Sequence, residues 1–280
     1  MTGAAQTSAP GPQRVPGNFW ASRSWQALHK GLAPLANIAV LLVVWDRAVA
    51  WSGTQVFPSP GSVGEALAEL AEDGRLLQFT VSSLYRVTWS FLLAILVGVP
   101  FGLMLGWFTW AHEAYNPLIQ LLRPISPIAW IPLSILWFGV SETTPMFLIF
   151  LASVFPITVS ATAAVKNIQL VYVRAARNFR LSRLQLFRHV ILPATLPQII
   201  TGLRIALGIA WLVVVAAEMV VVNPQAGGLG YLIIDARNAG SRYDLVVAGM
   251  VLIGVIGLVL DLLIRQLEKF EEVRWGYGSK

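Results

Sequence analysis

Apolar residues along the chain gather into six long blocks separated by short polar stretches. The blocks cover about 32–51, 83–107, 117–139, 144–165, 200–222 and 245–264. An α-helix rises about 1.5 Å per residue, so about 20 residues cross the hydrocarbon of a bilayer. Lipid offers no water to satisfy backbone N–H and C=O groups, and runs of this length therefore predict helices. The expected fold class is an all-α polytopic membrane protein with six transmembrane helices over 32–264. Residues 1–31 are rich in Ala, Pro, Gly and Ser, with Arg14, Arg23 and Lys30 and no acid. They lack an apolar core followed by a small-residue cleavage site, and read as a cytoplasmic N-terminal arm rather than a signal peptide. Trp20 and Trp25 suit the membrane interface. Residues 265–280 read as a cytoplasmic tail.

Composition agrees. Of 280 residues, 56% are hydrophobic and only 12% charged, against about 25% charged in soluble domains. A soluble enzyme, a disordered protein and a disulfide scaffold are excluded. Cysteine is absent, which removes disulfides, thiolate chemistry and Cys-ligated metals. His29, His112 and His189 are scattered; no metal or other cofactor is expected.

The net charge of +6 suits either nucleic acid or the positive-inside bias of membrane proteins, and its distribution decides. Between the fourth and fifth blocks lie Lys166, Arg174, Arg177, Arg180, Arg183 and Arg188, with no acid from 166 to 199. After the first block come Glu65, Glu69, Glu72 and Asp73 against Arg75 alone. The cationic segment is expected inside and the acidic one outside. Both termini are then cytoplasmic, the bilayer is the partner, and no nucleic acid is needed.

Within the spans, Gly98, Gly102 and Gly106 form a small-residue stripe, suited to close helix packing or to lining a pathway. Pro124, Pro127 and Pro132 interrupt the third block, and a broken membrane helix lines a watery cavity or is satisfied by protein. Ser126, Trp130 and Ser134 are candidates for a pathway, with a merely kinked packing helix as the other reading. Glu218 suits an ion pair with a neighbouring helix or a gating role. Arg86, near the outer mouth, either snorkels to the interface or meets an incoming anion. Arg204 is expected to snorkel inward, Asp261 to pair with Arg265 four residues on, and Asp46 and Arg47 to lie at the interface. Asp235, Arg237 and Arg242, in the outer segment 223–244, read by themselves as solvated charges. Gly227-Gly228-Leu229-Gly230 bends that segment before a short helix.

The inner loop of about 166–199 is longer than a tether requires. Val171, Ala175 and Phe179 fall on one helical stripe. Ser182 and Gln185 fit a capping box that starts a second helix at Arg183, and Pro193 and Pro197 mark the entry to the fifth span. A helix–turn–helix with an apolar stripe flanked by arginines can lie on anionic lipid or dock into a groove on a cytosolic partner.

Arg174-Ala175-Ala176, Arg180 and Val190-Ile191-Leu192-Pro193 resemble the EAA loop of type I ABC importer permeases. Arg174 stands where that pattern has Glu, Arg180 where it has Gly and Val190 where it has Ile. Arg for Gly costs about 1 kcal/mol if a left-handed turn is used. Phe57-Pro58-Ser59-Pro60, Ser82 to Val87, Arg123 to Leu133, Trp137-Phe138-Gly139, Thr201 to Arg204 and Ala216 to Met219 are similar to the nitrate/sulfonate/taurine/bicarbonate branch. The resemblance covers about residues 35–265.

It implies the type I permease fold, a bacterial inner membrane location and import of a small anion by alternating access. Implied partners are a second permease copy, two cytosolic ATPase subunits that bind the ATP, and a periplasmic binding protein, for which the resemblance makes Asp235, Arg237 and Arg242 candidate contacts. Val171, Arg174, Ala175, Ala176, Phe179, Arg180, Leu192 and Pro193 would carry coupling to the ATPase. The chain has no G-x-x-x-x-G-K-[ST] phosphate loop, and no catalytic residue is expected in it. The alternatives are a secondary transporter or channel, which would favour repeats and broken helices in both halves, and a membrane enzyme, which would need clustered His, Asp or Glu.

Overall fold

The computed structural model describes residues 23–53, 57–221, 227–240 and 242–267, nearly all helical. The arm up to residue 22, residues 222–226 and the tail beyond 267 lie outside the described residues, as do the side chains of Trp25 and Lys30. The chain divides into two units, Met1–Pro60 and Gly61–Lys280. The first contains α1, Arg23–Ser52, whose part Leu32–Ser52 is long and apolar enough to cross a membrane. Trp45 donates its indole N–H to the Pro58 carbonyl at 3.1 Å.

The second unit follows the order α2 (Pro60–Glu72), α3 (Arg75–Trp107), α4 (Thr109–Leu122), α5 (Ile131–Phe138), α6 (Thr143–Lys166), α7 (Leu170–Asn178), α8 (Arg183–Leu186), α9 (Leu192–Val220), α10 (Leu229–Asn238) and α11 (Tyr243–Leu267). A 3-10 turn, Pro127–Trp130, leads into α5, and a π-helical turn, Phe187–Ile191, joins α8 to α9. Among the described residues, α1, α3, α6, α9 with its preceding turns, and α11 are long and apolar enough to span a membrane. The sixth candidate is a bent pair, α4 and the segment Pro127–Phe138, at 84° to each other.

That bend refines the expected third span of about 117–139. The helix begins earlier, at Thr109, and breaks where Pro124 and Pro127 have no N–H to continue the ladder. The second and fifth spans are also longer than expected, because α3 begins at Arg75 and α9 at Leu192.

The core sits where α6 packs between α3 and α9. Gly102 explains how closely α3 approaches: a Cβ there would lie 2.5 Å from the Thr158 carbonyl oxygen and 2.6 Å from the Ala161 Cβ. Gly98 meets Ile157, and Gly106 meets Val165, in the same way. Thr162 Oγ1 crosses the interface to the Gly102 carbonyl at 3.1 Å. The stripe therefore packs helices, the first of its two readings. On the other face of α6, Ser160 fills the space above Gly202 of α9. Such close packing matters in lipid, where dispersion and hydrogen bonding hold helices together.

Candidate functional site

At the end of the bundle where α6 finishes, α7, α8 and the π-helical turn form a hairpin. The break after α7 is built at Arg180, whose φ of 54° is left-handed. The Leu181 N–H reaches back to the Ala176 carbonyl at 3.2 Å, the long bond of a Schellman ending. An L side chain pays roughly 1–2 kcal/mol for this conformation, so the chain accepts strain where glycine would have none. Ser182 then starts the next helix. Its Oγ accepts from the Gln185 N–H at 3.3 Å, while Gln185 Oε1 accepts from the Ser182 N–H at 2.9 Å. Past α8 the Leu192 N–H bonds five residues back to Phe187. This wide turn delivers the chain to Pro193, which has no N–H of its own.

The hairpin has two unlike faces. Ala176, Leu186 and Ile191 are buried with Leu103 of α3, Ala161, Ala164 and Val165 of α6, and Ile199 of α9. Leu181, Phe187 and Val190 pack against the same cluster. The outward face carries Leu170, Val171, Tyr172, Phe179 and Leu184, with Phe179 81% and Leu184 76% exposed. Arg174, Ala175, Arg180, Arg183 and Arg188 are exposed on the hairpin too, and Leu192 and Pro193 are open at its edge. The result is an exposed apolar surface interspersed with exposed arginines, packed onto α3, α6 and α9.

The opposite end holds a buried ionic cluster. Arg86 of α3 and Glu218 of α9 are 3% and 2% exposed, and Arg86 Nη1 donates to Glu218 Oε1. Ser83 Oγ lies 2.8 and 2.9 Å from the two Glu218 oxygens, and the Gly230 N–H donates to Oε2 at 2.9 Å. The Leu229 N–H in turn donates to Ser83 Oγ at 2.9 Å. Glu218 thus caps the start of α10, where the free N–H groups and the helix dipole favour an anion. On its other side Arg86 grips Glu142 with two parallel bonds of 2.6 and 2.8 Å. The glycines make room: a Cβ on Gly228 would overlap the Glu218 carboxylate, and one on Gly230 would lie 2.3 Å from the Val215 carbonyl oxygen. Four elements are tied by this cluster: α3, the segment before α6, α9 and α10.

Residues 98–271 match the family described as binding-protein-dependent transport system inner membrane component. The chain belongs to this family. The taurine transport system permease protein TauC of Escherichia coli (strain K12) is 36% identical over 254 residues, covering 88% of this chain and 90% of that protein. The nitrate import permease protein NrtB of Synechocystis sp. (strain ATCC 27184 / PCC 6803 / Kazusa) is 34% identical, covering 85% and 88%. Among solved structures, a chain of a bacterial ABC transporter for import of the acidic polysaccharide alginate aligns with a TM-score of 0.61 at 16% identity, covering 88% of this chain and 98% of that one. The protein is a multi-pass ABC importer permease, a transport subunit and not an enzyme.

The other candidate residues of the permease are dispersed. Arg86 neither snorkels nor stands free at a mouth, as both expectations had it, because burial and two carboxylates hold it inside. Glu218 takes the ion-pair option. Arg204 does not merely snorkel: its guanidinium lies 2.7 and 3.1 Å from the Asp261 oxygens of α11. Asp261 also meets Arg265 at 3.0 Å. Arg242 bonds Glu69 of α2 at 2.7 Å and Asp244 at 2.8 Å. Asp244 and Glu69 raise its pKa above the ordinary guanidinium value. Asp235 accepts from Tyr231 at 3.4 Å, and Arg237 is exposed. Ser134 is buried with its hydroxyl on the Ile131 carbonyl, and Ser126 is exposed at the break before the 3-10 turn. Trp130 lines a cavity of about 320 Å3 between the broken span, α6 and α9. The sequence pattern shows neither Glu142 as a partner of Arg86 nor Ser83 as a partner of Glu218: a carboxylate just before an apolar run reads as an interfacial charge, and a serine in a motif does not name the group it bonds.

Proposed function

We propose that the permease imports a small anion of the nitrate, bicarbonate or taurine/sulfonate class, powered by a separate ATPase that docks on the α7–α8 hairpin. Two copies of the chain form the pathway, two ATPase subunits bind the ATP, and a periplasmic binding protein delivers the anion. The hairpin faces the cytoplasm, as do both termini, and α10 faces the binding protein, with Arg237 available for contact.

The observation that carries this reading is the two-faced hairpin. Its outer face offers exposed apolar side chains together with exposed arginines and no acid from 166 to 199, a surface that suits an apolar groove lined by acids. Its inner face is built into the packing of α3, α6 and α9. Movement imposed on the hairpin by the ATPase is therefore passed to the spans, and ATP biases two states of the pathway through differential affinity. The substrate class rests on relatives such as the taurine and nitrate permeases and on the branch motifs around Arg123 and Ala216.

Ala175→Glu tests the docking. Position 175 is exposed on the hairpin, so the spans fold as before, while a carboxylate enters the apolar contact and is costly to bury unpaired. The variant is expected to lose co-purification with the ATPase and to lose uptake. Normal assembly together with normal uptake overturns the docking reading.

A further inference from the structure

We propose that Arg123, with Trp130 and Ser160, forms a binding site for the oxygen atoms of a small anion halfway across the membrane, in the cavity beside the broken span. This rests on the small-anion reading above and adds the place where the permease holds its cargo.

Depth comes first. The cavity is lined by Leu151 to Ser160 of α6 and by Ile205 and Ile209 of α9. Leu151 and Ser160 lie about 12 and 26 Å along a helix of about 36 Å, and Ile205 lies about 20 Å along α9. Arg123 lines the same cavity, at mid-depth whichever way the chain is inserted. A charge at that depth is expensive and points to a functional site by default.

Its partners come next. Arg86, Arg204 and Arg242 each pair with carboxylates. Among the described residues, no carboxylate pairs with the guanidinium of Arg123. It follows the last turn of α4, whose carbonyl end supplies about half a negative charge. That stabilises the cation without satisfying its donors. The backbone there is irregular, with Pro124 and Pro127 on either side of the break. Irregular backbone at membrane depth is tolerated where it is buried or lines a cavity.

Chemistry then selects the ligand. A guanidinium presents a planar fork that matches two oxygens of one group. Nitrate, bicarbonate and the sulfonate of taurine all present such a pair. The Trp130 indole and the Ser160 hydroxyl add donors of the sort an anion needs. The rest of the wall is Ala, Ile, Leu, Phe, Pro and Val, which keeps the field of the guanidinium strong. A volume of about 320 Å3 admits a small anion with some of its water, and no long polymer.

The experiment reconstitutes the permease with its own ATPase and binding protein and measures uptake of nitrate, bicarbonate and taurine separately, together with ATP hydrolysed. Arg123→Gln is expected to lower the anion carried per ATP by about tenfold or more, the loss of a hydrogen bond to a charged group. Arg123→Lys keeps the charge but loses the fork, and is expected to fall between. Unchanged uptake per ATP in both variants overturns the site. So does a proportional fall of uptake and hydrolysis together, which marks Arg123 as structural. Should Arg123→Gln fail to assemble, Ser160→Ala and Arg123→Lys decide, and wild-type uptake per ATP in both overturns the site. A wild-type importer that carries none of the three probes overturns the small-anion reading instead.

Discussion

At the residue scale, the two charged groups that matter most for folding are Arg86 and Glu218. Both are almost wholly inside the protein, and each satisfies the other. Removing one partner leaves the other charge buried without compensation, which costs about 3–5 kcal/mol. Arg86→Gln is therefore expected to lower the thermal midpoint in detergent, read from intrinsic tryptophan fluorescence. Loss of anion steering is not the expected defect, because the cluster of Arg86, Glu142 and Glu218 carries a net negative charge and does not attract anions. Arg86→Gln combined with Glu218→Gln is expected to recover much of the lost stability. A single variant as stable as the wild type would show that the pair contributes nothing. The sequence made the pair conceivable, since an ionisable group inside a span needs a partner, but not its identity. Ser83 and Glu218 are 135 positions apart, and nothing in the local pattern joins them. The strain at Arg180 was more readable, because a helix–turn–helix of this length needs a left-handed residue somewhere near that point. Arg180→Gly is expected to keep or slightly raise stability and to leave assembly intact.

At the element scale, the glycine stripe and the broken span differ in how much their local pattern reveals. Gly98, Gly102 and Gly106 recur every four residues, and that spacing alone announces a close helix contact without saying which helix provides it. Packing supplies the answer, α6, and a direct test. Gly102→Val is expected to keep α3 from reaching α6 and to leave little folded protein, since the new side chain meets backbone rather than a movable side-chain end. Gly208→Ala on α9 is the control, because a Cβ there meets nothing within 4 Å. Equal folded yields of the two variants would remove the stripe from the packing account. The broken span is legible only in part. Prolines mark where an N–H is missing, but not whether the helix bends by a few degrees or by 84°. Long-range packing against α6 and α9 chooses the angle, and a local pattern carries no record of it. The hairpin is the most legible element in its backbone, because its capping box and apolar stripe are local and lie within a few residues.

At the scale of the whole molecule, α9 links the two ends. It leaves the hairpin at Leu192 and carries Glu218 into the ionic cluster 26 residues later, about 39 Å away along the axis. Any tilt imposed at the hairpin is felt at the cluster, where α3 and α10 are tied to the same carboxylate. The side of the membrane on which each end lies is then decisive for an importer, and it is the part of the proposed function that rests on the charge count. Six arginines and lysines without an acid are the ground for the proposed placement of the hairpin inside and of the acidic α2 outside. The chain contains no cysteine, so a single introduced thiol reports its own position without background. Cysteine placed at Ser182, exposed at the start of α8, is expected to react with a membrane-impermeant maleimide only after cells are opened. Cysteine placed at Asp73, exposed after α2, is expected to react in intact cells whose outer barrier has been permeabilised. Each variant should first be shown to support uptake, so that the label reports the working fold. Labelling of the Ser182 variant from outside, with the Asp73 variant protected, would invert the molecule. The hairpin could then not meet a cytosolic ATPase, and the energy coupling assigned to it would have to be abandoned.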